Sequence, residues 1–212
     1  MQSKDLDDEF LLAGKLPDTY KYFERGRLPI PSPDHVVSRN ELGEVVSCYG
    51  DDVHDFSAYC HTRGSAYYDY TSINLKSLRE DAKFLVFVYI RFAGSRSRNS
   101  NTISLIGMRN FFISFVLPLV SFASTNGLVN LKELFENQEL LAEFVHKLIK
   151  KNKSTFNAKA ALYFDDIVAI GQVRLGFKVC LPSTVHAKLI KLSEDNLARF
   201  IEQTPVIPPR IY

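Results

Sequence analysis

The feature that most constrains this sequence is the apolar run FFISFVLPLVSFA at residues 111–123. The run has 13 residues, whereas a helix that spans a membrane needs about 20. Arg109 and Asn110 directly precede it, and Pro118 interrupts it. Proline removes a backbone donor and clashes with the preceding helical turn. The run therefore predicts a buried core helix, kinked or ended near Pro118, and no membrane span.

Composition favours an ordinary globular protein. Of the 212 residues, 46% are hydrophobic and 24% are charged, as in typical soluble domains. The odd set of cysteines, Cys48, Cys60 and Cys180, lacks a CxxC spacing, which predicts reduced thiols and a cytoplasmic protein. The acidic start MQSKDLDDEF does not resemble a signal peptide. No paired ligand spacing occurs, so we expect neither a metal site nor a cofactor.

The pattern of apolar residues changes along the chain. Residues 36–39 and 44–49 flank a turn at Leu42–Gly43 and predict a β-hairpin, whereas residues 50–73 look irregular. A helical period begins near Ser72. Five helices are predicted: residues 72–94, 103–118, 130–149, a fourth that begins after Ser154 and ends at Gly171 or Gly176, and 193–203. The core face of the fourth is formed by Phe156, Ala160, Phe164 and Ile167.

These patterns predict a mainly α fold and a division of the chain into three parts. Residues 1–73 form an N-terminal arm with the β-hairpin and an acidic, Tyr-rich segment. Residues 74–203 form a helical domain, and residues 204–212 form a Pro-rich linker. Within the arm, Asp51, Asp52 and Asp55 lack the ligand spacing of an EF-hand and predict a solvated loop.

Charge is divided unevenly along the chain. Residues 1–70 contain 7 Lys/Arg and 13 Asp/Glu, a net charge of −6. Residues 71–212 contain 19 Lys/Arg and 11 Asp/Glu, a net charge of +8. Two windows, residues 83–109 and 144–164, have basic residues and no acidic ones. Such windows create positive potential that suits a phosphate backbone, but they also fit solvated faces and helix ends.

Short catalytic motifs are absent from the sequence. GxSxG, Walker-type loops, HExxH and GxGxxG do not occur, and the five histidines have no nucleophile at motif spacing. Asp165 and Asp166 in the fourth helix are expected to be a surface pair. A helical chain of this kind is predicted to be a binding module and not an enzyme.

The helical half resembles the core-binding domain of tyrosine recombinases, the phage-type integrases. The resemblance rests on residues 74–92 (NLKSLREDAKFLVFVYIRF), 101–115 (NTISLIGMRNFFISF) and 153–176 (KSTFNAKAALYFDDIVAIGQVRLG). VVSCYGDDVHDFSAY and VIPPRIY look like the lead segment and the junction of such proteins. The resemblance implies a SAM-like domain of four to five helices, preceded by the small β-hairpin arm, that clamps duplex DNA.

In that family, a separate C-terminal domain carries the nucleophilic Tyr with Arg, Lys and an HxxR pair. None of the histidines here is followed by Arg three positions later. Tyr212, the last residue, has no such partners before it. We therefore expect a fragment without catalytic residues, whose partners are duplex DNA and other recombinase protomers. Asp166 follows Lys159 by seven residues on nearly the same helix face and would weaken phosphate attraction there.

The expected DNA contacts divide by chemistry, because cations bind phosphates whereas amides can read base edges. The basic candidates are Arg96, Arg98, Arg109, Lys147, Lys150, Lys151, Lys153, Lys159 and Arg174. The amide candidates are Asn99, Asn101, Asn157 and Gln172. Helix capping and turns use the same amide residues. The alternative function is a helical protein-interaction or regulatory module of a mobile element without DNA affinity of its own.

Overall fold

The structure, a computed structural model, describes residues 30–59, 67–93, 105–151, 163–164, 166–167 and 178–191. The strands are β1 (Val36–Arg39), β2 (Val45–Cys48), β3 (Val53–Asp55) and β4 (Tyr67–Asp69). The helices are α1 (Lys76–Ala93), α2 (Leu105–Phe111), α3 (Leu117–Thr125), α4 (Leu131–Glu136) and α5 (Gln138–Lys151), followed by α6 at residues 183–191. Helices account for 59% of the described residues, which confirms a mainly α chain with a β-hairpin.

The predicted first hairpin is confirmed. Strands β1 and β2 pair antiparallel, and the turn between them is organised by one side chain. The Asn40 Oδ1 atom accepts hydrogen bonds from the backbone N–H groups of Leu42, at 3.0 Å, and Glu44, at 2.9 Å. Gly43 has φ +83°, a conformation that glycine adopts readily and most other residues rarely adopt. Local turn chemistry therefore fixes this element.

A second hairpin was not predicted, and the expectation of an irregular segment at residues 50–73 is wrong at the strands 53–55 and 67–69, whereas residues 60–66 lie outside the described residues. Strands β3 and β4 pair antiparallel with His54 opposite Tyr68 and Asp55 opposite Tyr67. Each strand has only three residues, and aspartate is disfavoured in strands. Pairing is favoured here because the central residues, His54 and Tyr68, are buried in the core.

The apolar run lies in a continuous helical segment at residues 105–125. A π-helical turn at Phe112–Val116 joins α2 to α3, and the Leu117 N–H donates to the Phe112 carbonyl, five residues earlier. Pro118 lies in the first turn of α3, where its missing N–H is tolerated. Of the two predicted alternatives, an end of the helix near Pro118 is therefore wrong, because the wider turn changes the bonding register before the proline. A kink near Pro118 stays a prediction.

One helix in the described part of the chain is long and apolar enough to cross a membrane, judged by length and composition. It is Gly107–Thr125, with 19 residues and a mean hydropathy of 1.3. Half of its apolar window, 50%, is buried within the structure. Core helices of soluble proteins share these properties, so the absence of a membrane partner stays a prediction.

Buried side chains from both hairpins and from the helices form one apolar cluster. Its aromatic centre includes Tyr89 stacked on Phe111, with ring centroids 3.7 Å apart. Phe115 contacts Phe144 at 6.0 Å and Phe164 at 5.0 Å between centroids. Phe164 is fully buried, as predicted for the fourth helix. The three-part division of the chain stays a prediction.

The two helices predicted in the C-terminal part of the chain are described only in part or not at all. In the fourth helix, Ile167 is buried as expected, whereas Phe156 and Ala160 lie outside the described residues. The predicted helix at residues 193–203 also lies outside them. Helix α6 was not predicted. It begins after Pro182, whose carbonyl accepts hydrogen bonds from the N–H groups of Val185 and His186.

Candidate nucleic-acid interface

The first cation of the acid-free window at residues 83–109 is not on the surface. Lys83 is 1% exposed. Its ammonium group donates to the Gly50 carbonyl at 3.0 Å, to Asp52 at 3.2 Å and to Glu80 at 3.2 Å. A buried ammonium requires such partners because desolvation of an unpaired charge is very unfavourable. Lys83 therefore attaches the hairpins to α1. The prediction that Lys83 contributes to a positive surface is wrong, because its charge is buried and paired.

The acidic loop before β3 is part of this attachment. Asp52 forms an ion pair with Arg79 at 2.5 Å as well as with Lys83, and Arg79 also donates to the Ile73 carbonyl. Asp51 accepts a hydrogen bond from the Cys48 N–H at 2.7 Å. The predicted solvated loop is exposed at Asp51 and partly exposed at Asp52, and these carboxylates in addition bond protein donors. The described residues contain no group of three or more metal-ligating side chains.

Arg109 lies in the last turn of α2, directly before the π-helical turn. Its side chain is half-buried. It forms no ion pair with any residue that the structure describes. Only two predicted DNA contacts, Arg109 and Lys147, have side chains that the structure describes. Of these two, Arg109 has no carboxylate partner among the described residues.

Lys147 on α5 is exposed but engaged on its own helix surface. Its ammonium group lies 2.8 Å from a Glu143 oxygen and 4.7 Å from the ring centroid of Phe122. Exposed ion pairs at this spacing contribute about 0.3–0.5 kcal/mol, so a phosphate could replace Glu143. Lys150 and Lys151 follow in the last turn of α5, where cations stabilise the negative end of the helix dipole.

The other predicted contacts lie outside the described residues: Arg96, Arg98, Asn99, Asn101, Lys153, Asn157, Lys159, Gln172 and Arg174. For these residues, the structure shows only the ends of the helices to which their segments are connected in the sequence. Arg96 and Arg98 lie between the end of α1 and the start of α2. Tyr89 near the end of α1 stacks on Phe111 at the end of α2, so a buried contact holds these two helices together. Lys153 follows α5 by two residues.

Asp166 has a structural partner that the sequence did not indicate. It accepts a hydrogen bond from the hydroxyl of Tyr89 at 3.1 Å. Burial, with a smaller contribution from Asp166, raises the pKa of Tyr163 to about 12. Asp166 is thus half-buried and bonded to a buried tyrosine of α1, and its membership of a surface pair stays a prediction. Asp165 lies outside the described residues.

Three exposed cations on and before α6 were not among the predicted contacts. Lys178, Lys188 and Lys191 are exposed. The sequence signal was present, because residues 167–193 contain four Lys/Arg and no Asp/Glu. This third acid-free window resembles the two that were used for the prediction. Its Arg174 is among the predicted contacts but its three lysines are not, because no helix was expected at residues 183–191.

Comparisons of the chain with protein-family models, with curated proteins and with solved structures found no match. The resemblance to tyrosine recombinases therefore stays a prediction. The described geometry supplies a rigid aromatic core, the attachment points of the basic segments, and exposed lysines on α5 and α6.

Proposed function

We propose that this chain is a DNA-binding fragment of an integrase-like tyrosine recombinase, a SAM-like core-binding domain that clamps duplex DNA for site-specific recombination. The observation that carries the proposal is the position of the basic segments relative to the aromatic core. Residues 94–104 connect two helices that pack on each other through Tyr89 and Phe111. Residues 147–151 form the last turn of α5, whose Phe144 is buried in the same core, and Lys153 follows the helix by two residues in the sequence.

The proposed interface works mainly through charge. Arg96 and Arg98 in the first segment, and Lys150, Lys151 and Lys153 in the second, would each neutralise a phosphate. Phosphate contacts set affinity and register but carry no sequence information. The amides of Asn99, Asn101 and Gln172 would contact base edges. We further propose that the chain acts in the cytoplasm beside other recombinase protomers, needs no cofactor, and does not itself cleave DNA.

The test is the salt dependence of duplex binding, measured by fluorescence anisotropy with a labelled duplex. The logarithm of affinity should fall against the logarithm of salt concentration with a slope of about −0.9 for each phosphate neutralised. We expect about 3–5 neutralised phosphates. The double variant Arg96→Ala/Arg98→Ala should lower the magnitude of the slope by about 1–2, since each lost contact removes about one.

A matched control carries the same change in charge at another place. Lys76 and Lys132 are exposed on α1 and α4, and Lys132 is followed directly by Glu133. Lys76→Ala/Lys132→Ala should leave the slope nearly unchanged. Equal effects of both double variants would show that net charge alone attracts DNA and would contradict the proposed interface.

The second candidate is an interaction or regulatory module of a mobile element without DNA affinity. Its support is the exposed apolar side chains of the first hairpin, where Leu42 is 84%, Val45 is 49% and Val46 is 41% exposed. The burial of Lys83 and the pairing of Lys147 with Glu143 also reduce the free positive charge. No salt-dependent DNA binding, even at low ionic strength, would favour this candidate.

A further inference from the structure

We propose that the exposed face of α6 forms an additional phosphate contact with duplex DNA, through Lys188 and Lys191. The inference rests on the proposed function, because it extends the DNA interface to a surface that the sequence did not indicate. The contact would be independent of DNA sequence, since lysine binds phosphate as a point charge.

The burial pattern along α6 distinguishes a face that packs on the core from a face that is exposed. Val185 and Leu189, four residues apart, are buried at 8% and 0% exposure. Residues with this spacing lie on one side of a helix. Lys188 and Lys191, three residues apart, are both exposed and therefore lie together away from the core. Thr184 is exposed one turn before Lys188, and its hydroxyl is a further donor of a kind that binds phosphates.

The helix is anchored to the body of the protein. The Cys180 N–H donates to the carbonyl of Phe135 in α4 at 2.8 Å. Val179 and Leu181 pack against the apolar cluster, and the Pro182 carbonyl accepts two hydrogen bonds from the first turn of α6. The backbone below the lysines is thus already ordered, which removes part of the entropy loss that accompanies binding.

The described segment 178–191, which contains α6, carries charged side chains of one sign only. The described residues 178–191 contain Lys178, Lys188 and Lys191 and no carboxylate side chain. None of these lysines forms an ion pair with another residue that the structure describes. Lys83 and Lys147, by contrast, are both neutralised by nearby carboxylates. Exposed cations on a segment whose described residues include no acid create positive potential, which attracts a phosphate backbone.

The experiment measures, on the full chain, the slope of the logarithm of duplex affinity against the logarithm of salt concentration. Lys188→Ala/Lys191→Ala should lower the magnitude of the slope by about 1–2, as expected for two lost phosphate contacts. Lys188→Arg/Lys191→Arg keeps the charge and should keep the slope. The control Lys76→Ala/Lys132→Ala removes the same charge and should change it little. Circular dichroism and thermal unfolding check that each variant folds, as expected for exposed substitutions.

The outcomes separate this inference from the proposed function. If Arg96→Ala/Arg98→Ala lowers the slope but Lys188→Ala/Lys191→Ala does not, the α6 contact is wrong and the proposed function stands. If the Lys76→Ala/Lys132→Ala control lowers it as much as the α6 variant, the binding reflects net charge and the α6 contact is also wrong. No salt-dependent binding by the unaltered chain would overturn both proposals.

Discussion

Asp52 is the residue on which the attachment between the hairpins and α1 depends. One oxygen of its carboxylate bonds Arg79 and the other bonds Lys83. Lys83 is fully buried, whereas the Asp52 side chain is 43% exposed. The carboxylate can therefore be hydrated if the pair breaks, but the ammonium cannot. Loss of the Asp52 carboxylate should therefore lower the free energy of unfolding by more than the partial exposure of Asp52 suggests, because it leaves the buried Lys83 ammonium without this partner.

We predict that Asp52→Asn lowers the free energy of unfolding by about 2 kcal/mol, the scale of a hydrogen bond to a charged group. Glu80→Gln should lower it by less than about 1 kcal/mol, because Glu80 is a partly exposed partner within α1. Urea denaturation measures both values. Glu143→Gln, at the exposed pair with Lys147, is the control and should lie within about 0.5 kcal/mol of the unaltered chain. A larger effect for Glu80→Gln than for Asp52→Asn would contradict this role of Asp52.

His54 is the residue that should make stability depend on pH. Burial lowers its pKa from 6.5 to about 4, against the opposing hydrogen bond to the Tyr49 carbonyl. Between these values the unfolded chain binds a proton that the folded chain excludes. Its contribution to stability is therefore complete above pH 6.5 and is lost as the pH falls towards 4. The full loss is about 3 kcal/mol, from about 1.4 kcal/mol per unit of pKa.

Urea denaturation at a series of pH values measures this dependence. His54→Gln removes the titrating group and should flatten the stability profile between pH 6.5 and 4. His146→Gln, at an exposed position on α5, is the control and should preserve the profile. An unchanged slope in the His54 variant would show that other groups cause the loss.

At the scale of elements, the end of α3 is set by one glycine. The Gly127 N–H donates to the Ser124 carbonyl at 3.1 Å, and the Leu128 N–H donates to the Ala123 carbonyl at 3.0 Å. This bonding pattern is a Schellman motif. Gly127 has φ +71°, and nothing lies within 4 Å of where its Cβ would be. A substitution here is strained by conformation and not by contacts.

We predict that Gly127→Ala destabilises the protein by about 1–2 kcal/mol, the energy of a left-handed conformation for an ordinary residue. Gly127→Asn should have a smaller effect, because asparagine tolerates this conformation better. Thermal or urea unfolding measures the difference. Thr125→Ala, an exposed change in the same turn, serves as the control. A neutral Gly127→Ala would show that the turn adopts another conformation.

Sequence reasoning succeeded where the signal was local. The first hairpin follows from Asn40, Gly43 and the flanking valines, and the core position of Phe164 follows from helical spacing. It failed where distant residues decide the structure. Lys83 looked like a surface cation because Asp52 lies 31 residues away. Strands β3 and β4 are too short to show a period. Candidate contacts on α6 were missed because no helix was expected there.

At the scale of the whole molecule, the hairpins and helices share one apolar cluster. Val37 and Tyr68 of the hairpins and Leu78 and Phe87 of α1 belong to it. The Tyr49 and Phe87 rings also meet with centroids 5.8 Å apart. The hairpins and α1 bury their apolar side chains against each other, so unfolding of the hairpins would expose the apolar face of α1, and unfolding of α1 would expose that of the hairpins.

We therefore predict a single cooperative unfolding transition for the described body of the protein. Calorimetric and van't Hoff enthalpies should agree, and tyrosine fluorescence and far-ultraviolet circular dichroism should give the same midpoint. Asp52→Asn should lower that midpoint without splitting the transition. Two separated transitions, with fluorescence changing before helix content, would show that the hairpins detach before the helices unfold.

The Asn126–Gly127 peptide also links the fold to chemical ageing. Asparagine before glycine deamidates when the glycine nitrogen attacks the asparagine side-chain carbonyl carbon, ammonia leaves, and water opens the cyclic imide. In the fold, the Gly127 N–H bonds Ser124 and the Asn126 side-chain amide bonds Phe122 at 2.9 Å. Ageing at this site therefore requires the last turn of α3 to open. Its products place a carboxylate at the negative end of the helix dipole, so molecules that have aged re-form this turn less readily.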